Sequence, residues 1–317
     1  MDHSLRGSFR LFRAAGIDVY LHWSWFLIAL ILVTSRRPDG MEYQAPAWKV
    51  AEFVSVFVFV LLHEFGHALA CRSVGGKAET ILLWPLGGVA FVAPPPRPGA
   101  FLWSIAAGPL VNFLLLIPTF ALWSYASSQG WAQSQPDIYR FLGLATVMNA
   151  ALFGFNILPI YPLDGGQMVQ AFLWYGVGRY ESLRIVSLFG MIVGGLLLLG
   201  SLVVLPLIEG WALITGLLAL TITLRSFVSF KQAEAILTVQ ALPRNSSVRC
   251  PSCHTAPPQG SFWVCDHCQT RFDLFDHRGK CPACGAWYLE PSCPHCFETS
   301  HIDQWTSTAP APLNEQP

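Results

Sequence analysis

Long apolar runs separated by short polar stretches dominate the first 230 positions of the chain. A helix that crosses a bilayer takes about 20 mostly apolar residues. Six stretches meet that need, roughly 17–35, 47–74, 101–126, 138–160, 184–206 and 209–228. The first follows a basic segment, as a signal peptide would. It runs on into RRPDG without a small-residue cleavage site, so we expect a retained helix. Two segments break the helical pattern. Residues 80–94, TILLWPLGGVAFVAP, are two apolar, β-prone runs around Gly87-Gly88, which signals a hairpin. The segment is too apolar for an open loop. A re-entrant β-hairpin packed between helices is expected, because irregular backbone at membrane depth must be buried in protein or line a cavity. Residues 156–167, NILPIYPLDGGQ, interrupt a helix with two prolines and a Gly-Gly.

After residue 230 the pattern changes. Residues 231–247 read as a linker or short helix, 248–300 as a small cysteine-rich domain, and 301–317 as a disordered tail. The expected architecture is an α-helical polytopic membrane protein of about six spans over residues 1–230, followed by that small domain.

Composition agrees. The chain is 53% hydrophobic and 12% charged, with a mean hydropathy of +0.45. Soluble domains carry about 25% charged residues. Net charge is zero, so nucleic acid is not an expected partner. The charges also orient the spans. With the N-terminus inside, the outer loops hold only Arg36, Arg37, Lys49 and Arg140. The inner segments then hold Arg6, Arg10, Arg13, Arg72, Lys77, Arg97, Arg179, Arg184, Arg225, Lys231, Arg244 and Arg249. The positive-inside rule therefore places both termini in the cytoplasm, and we expect a multi-pass protein of a bacterial cytoplasmic membrane.

Within the second span stand three titratable groups, in HEFGH at 63–67. His63 and His67 lie four residues apart, on one face of a helix, where both can ligate one zinc while Glu64 reaches a water at the metal. The pattern is short, but ionisable groups in membrane spans are costly and mark function. A catalytic zinc takes three protein ligands and keeps one position open. The best third candidate is Asp164 in PLDGG, and on spacing alone a ligand and an Asp-Gly turn after a helix are about equally supported. Asn112 and Asn156 are candidates for hydrogen bonds to a substrate or oxyanion, or equally for bonds between helices. His22 reads as an interfacial residue beside Trp anchors, and Cys71 as a small buried apolar group.

The other eight cysteines form four C-x-x-C pairs: Cys250/Cys253, Cys265/Cys268, Cys281/Cys284 and Cys293/Cys296. Two such pairs make one closed tetrahedral site, so two structural zinc ions are expected in a reducing compartment. The spacing favours sequential pairing, with the interleaved arrangement open. The segment resembles a double zinc ribbon. His254, His267 and His295 lie nearby, but eight thiolates need no further ligand. A domain this small relies on its metals for folding energy. Phe262, Trp263, Phe272, Trp287 and Tyr288 are candidates for its miniature cores, or for a face that binds a protein partner.

HEFGH together with NILPIYPLDGG resembles the site-2 protease family of intramembrane zinc metalloproteases. GIDVYLHWSW, LLWPLGGVA and AAGPLVNF add to the likeness, which covers about residues 9–230. The resemblance implies that Asp164 completes the zinc site with His63 and His67. It implies that Glu64 is the general base and that the segment around Gly87 and Gly88 offers a strand edge to an extended substrate. It further implies cleavage in or near transmembrane segments of membrane-tethered proteins. The rival expectation is a non-catalytic membrane adaptor that binds transmembrane helices and presents the zinc-ribbon module.

Overall fold

Residues 17–22, IDVYLH, alternate apolar and polar side chains, and in the computed structural model they are a strand rather than the start of a helix. The structure describes residues 7–34, 43–84, 87–203, 211–294, 296 and 298–305. Outside them lie Arg6, Arg36, Arg37, residues 85 and 86, His295 and residues 306–317 of the expected tail. Gly87 and Gly88, around which the hairpin was expected to turn, instead pair with Trp84 and Leu83 within a strand, and residues 301–305 of the expected tail are ordered around a short 3-10 turn.

The chain divides into two units, residues 1–233 and 234–317. In the first, β1 (Ser8–Ala14), β2 (Ile17–His22), β3 (Lys77–Trp84) and β4 (Gly87–Ala93) form one sheet in that order. Ala15 and Gly16, both at positive φ (50° and 73°), join β1 to β2 as a two-residue hairpin turn requires. β2 then pairs in parallel with β3, Val19 opposite Ile81 and Leu21 opposite Leu83. β3 pairs antiparallel with β4, Ile81 opposite Ala90 and Leu83 opposite Gly88. The hairpin expected at 80–94 is therefore half of a four-stranded sheet. The alternation that makes β2 a strand sends Ile17, Val19 and Leu21 inward, where they meet Ile81, Leu83, Val60, Ala68 and Cys71 in one core.

The helices are α1 (Ser24–Thr34), α2 (Ala47–Ser73), α3 (Pro98–Ser128), α4 (Trp131–Ser134), α5 (Pro136–Ile157), α6 (Asp164–Val177), α7 (Arg179–Val203) and α8 (Trp211–Gln240). Among the described residues four of them, α2, α3, α5 and α7, are long and apolar enough to cross a membrane, against the six spans expected. The first expected span is shortened at its start by β2, because averaged hydropathy hides a period of two. The interrupted segment becomes a loop, with a cis Tyr161–Pro162 bond, that leads into α6. α8 continues through the first part of the expected linker, and the division between the units falls within it.

In the second unit three of the four C-x-x-C knuckles share one device. The residue after the second cysteine, His254, Gln269 or Gly285, has φ between 56° and 77°. Its N–H donates to the carbonyl of the first cysteine at 2.8–3.0 Å. A short hairpin, β5 (Trp263–Val264) with β6 (Arg271–Phe272), carries the Cys265–Cys268 knuckle in its loop. Phe272 is buried, with Trp263 and Tyr288 packed against its cluster. Phe262 and Trp287 instead stand exposed.

Candidate metal centre

α2 carries His63 and His67 to one buried point, with ring centroids 4.7 Å apart. The neighbouring helix, α3, determines how the rings lie. Ser104, Gly108 and Asn112 follow one another at intervals of four and so form one stripe along α3. His67 Nδ1 donates to the Ser104 carbonyl at 2.9 Å, and His63 Nδ1 donates to Asn112 Oδ1 at 2.7 Å. Asn112 Nδ2 in turn donates to Asn149 Oδ1 on α5, and Asn149 Nδ2 donates to the Asn112 carbonyl. Between the two contacts sits Gly108, where a Cβ would strike both imidazoles. With each Nδ1–H donating, each neutral ring presents its Nε2 lone pair to the centre.

The start of α6 brings in the third group. Asp164 is its first residue, where the helix dipole favours a carboxylate. Gly165 and Gly166 let that helix start press against the backbone of residues 157–161, where any side chain would collide. Asp164 Oδ2 lies 3.0 Å from His63 Nε2 and 3.4 Å from His67 Nε2, and the two Nε2 atoms are 3.0 Å apart. Asp164 Oδ2 is buried with no hydrogen-bond donor in place.

Three electron-rich atoms facing each other at this range repel unless a cation lies among them. Ligands 2.0–2.1 Å from a tetrahedral zinc are about 3.3 Å apart, so the donor set fits that ion. The second atoms of the two rings are already oriented by hydrogen bonds, as zinc-binding histidines require. Glu64, also buried, accepts the Ala90 N–H through Oε2 at 2.8 Å. β4 passes so close here that a Cβ on Gly88 would collide with the Glu64 side chain.

A cavity of about 460 Å³ opens onto His63, Glu64, His67 and Asp164. Gly88, Val89 and Ala90 of β4 line it, as do Asn156 and a face of α8 that includes Thr221, Arg225 and Ser229. Of the two candidate asparagines, then, Asn156 reaches the cavity, with Nδ2 donating to the Leu152 carbonyl. Asn112 is fully buried and spends its side chain on His63 and Asn149. Ser104, Gly108 and Asn149 were not among the expected site residues. The four-residue spacing in SIAAGPLVN carried the signal for the first two.

The cysteines gather into two further clusters, and the pairing is nested rather than sequential. Cys250 and Cys253 meet Cys293 and Cys296, while Cys265 and Cys268 meet Cys281 and Cys284. Sulfur–sulfur distances of 3.8 and 3.7 Å in the outer cluster, and 3.4 and 3.7 Å in the inner, are far longer than a disulfide. They match the edge of a tetrahedron with 2.3 Å zinc–sulfur arms, about 3.8 Å. Trp305, beyond the last cysteine, packs against Cys250 and Cys293 and so draws the two ends of the segment together. Tyr288 donates its hydroxyl to Cys265 Sγ at 3.2 Å, and this bond brings the Cys265 thiol down to about 6.

Residues 51–136 and 126–200 match peptidase family M50. A zinc metalloprotease of Methanocaldococcus jannaschii is 31% identical over 63% of this chain and 56% of its own length. Stage IV sporulation protein FB of Bacillus subtilis is 27% identical over 48% of this chain and 46% of its own. The chain thus spans about half the length of the curated relatives it matches. Among solved structures, a site-2 protease from Methanocaldococcus jannaschii is 28% identical, covering 70% of this chain and 95% of that one with a TM-score of 0.48. The matched residues contain the two histidines and Glu64 on α2, their partners on α3, and Asp164 at the start of α6, and it is this part of the chain that matches peptidase family M50.

Proposed function

We propose that the chain is an intramembrane zinc metalloprotease that hydrolyses peptide bonds in or near transmembrane segments of membrane-tethered proteins. One observation carries this: the buried His63, His67 and Asp164 donor set, with Glu64 beside it in the same cavity. His63, His67 and Asp164 hold one catalytic zinc, and the two cysteine clusters hold two structural ones. Bound there, zinc supplies Lewis-acid chemistry, acidifying water and polarising a carbonyl oxygen. Glu64 takes a proton of the attacking water and returns it to the leaving amide nitrogen, so that one peptide bond and one water become a carboxylic acid and an amine, which then exist as carboxylate and ammonium. The Ala90 N–H keeps the Glu64 carboxylate aimed into the cavity.

β4 ends the sheet order, so its outer edge has no strand partner among the described residues. An extended substrate segment adds to that edge by backbone pairing, which exposes the amides that a helix hides. In this reading the sheet's hairpin is re-entrant, six spans cross the bilayer, and both termini are cytoplasmic. The cysteine-rich domain is then a cytoplasmic module for a protein partner. A binding-only adaptor would have no use for a buried, oriented Glu64, and nothing at the centre favours it. Glu64→Gln tests the proposal in the full chain. Cleavage of a membrane-tethered reporter should disappear while zinc content stays at the parent value. Undiminished cleavage by Glu64→Gln sinks the mechanism.

A further inference from the structure

The cavity beside the metal donors contains a cation that the proposed chemistry does not use. Arg225 lies on α8 among the residues LITGLLALTITLRSFVSF, in an otherwise uncharged stretch. Leu218, Thr221, Ile222, Arg225 and Ser229 line the cavity, and their spacing places them on one face of the helix. Two contacts beside Arg225 fix that face. Ser226 Oγ donates to the Tyr161 carbonyl at 3.0 Å, and the Tyr161 hydroxyl meets Ser229 Oγ at 2.9 Å. Tyr161 belongs to the same loop that delivers Asp164.

Arg225 makes no hydrogen bond or ion pair with any described residue. No other Arg or Lys lines the cavity among the described residues. Its two carboxylates are committed elsewhere, Glu64 to the Ala90 N–H and Asp164 to the donor set it forms with the two histidines. The Arg225 side chain is exposed and lies toward the inner end of the sixth expected span, so it can meet an occupant of the cavity without being buried itself. Guanidinium groups favour carboxylates, which they bind through two parallel hydrogen bonds. A long side chain can also reach out to lipid phosphate. The place of Arg225 on the cavity-facing stripe, between Thr221 and Ser229, favours an occupant of the cavity instead.

We propose that Arg225 is the cation of a carboxylate-binding subsite, which holds an Asp or Glu side chain of the peptide segment lying in the cavity. That the occupant is a peptide rests on the proteolytic function proposed above. The subsite makes the chain selective for segments with an acidic residue close to the cleaved bond.

The test uses the full-length Glu64→Gln protein, loaded with zinc in detergent, so that binding is read without turnover. The probes are three fluorescent apolar peptides, identical except for a central Asp, Ala or Lys, and the readout is anisotropy. The Asp peptide should bind about tenfold tighter than the Ala peptide, with Lys the weakest. Raising salt to about 0.5 M should shrink the difference. Arg225→Gln should abolish the preference, and Arg225→Glu should reverse it in favour of Lys. Zinc content serves as the check that each variant is folded. Equal affinity for all three peptides, as when a lipid phosphate occupies Arg225, overturns the subsite. So does an Asp preference that survives Arg225→Glu. The same peptides offered to protein with Glu64 intact separate the two ideas. Cleavage without an Asp preference overturns the subsite alone. An Asp preference in binding without any cleavage overturns the protease function and leaves the subsite standing.

Discussion

Gly108→Ala adds one methyl group where α3 passes the two imidazoles. The new Cβ would lie 2.9 Å from His63 Nε2 and nearer still to the His67 ring, whereas ordinary contact begins at 3.4 Å. His63 must therefore give by about 0.5 Å and His67 by more. Neither ring is free to do so, since Asn112 and the Ser104 carbonyl hold their Nδ1 atoms. Half an ångström is also about the tolerance of a working site. Overpacking of this kind costs about 1–3 kcal/mol. If all of it falls on the metal-bound form, zinc affinity drops by roughly 5- to 150-fold. The assay is zinc per full-length chain after dialysis against a graded chelator series, with Asp164→Ala giving the baseline from the cysteine clusters. Gly154→Ala on α5 is the control, because its Cβ would meet nothing within 4 Å. If Gly108→Ala holds zinc as firmly as Gly154→Ala, the close approach of α3 to the histidines is wrong.

Other expected outcomes can be checked in the same preparations. Asn112→Ala frees the His63 ring and leaves buried Asn149 short of a partner, so zinc affinity should fall about 10- to 100-fold and stability by about 1–3 kcal/mol. Chelator titration and thermal melting measure the two effects, and no change in either would remove Asn112 from the site. Gly88→Ala should suppress cleavage while zinc is retained, because the added Cβ displaces Glu64 rather than a metal donor. Loss of zinc together with activity would contradict that placement. For the tail, Cys250→Ser/Cys293→Ser should cost the chain one zinc by elemental analysis, and Cys250→Ser/Cys265→Ser two. Sequential pairing predicts the opposite result.

Sequence alone revealed the chemistry of the site better than its construction. A spacing of four residues was enough to put His63 and His67 on one face. Asp164 gained its role from family resemblance, because the step from residue 67 to 164 has no periodicity to follow. The type of Asn112 was conspicuous in an apolar run, but its partner was not, since the His63 contact joins two different helices. The sheet was half legible. β3 and β4 are neighbours in sequence, whereas β2 pairs with a strand that begins only after two helices. The cysteines revealed their ligand chemistry but not their partners. Loop-closure cost rises only with the logarithm of length, so short spacing is a weak guide. The packing of Trp305 against Cys250 and Cys293 lies beyond any spacing rule.

The parallel pairing of β2 with β3 also bears on topology. Strands hydrogen-bonded in one sheet lie on the same side of a bilayer, so the chain between them must cross it an even number of times. That stretch runs from Trp23 to Gly76 and includes α1 and the 27-residue α2. A single traverse by α2 therefore calls for a second crossing within the same stretch, to which the described α1 contributes 11 residues. Four backbone register pairs, Asp18 to Thr80 through Leu21 to Leu83, thus act as a parity constraint on how the N-terminal region threads the membrane.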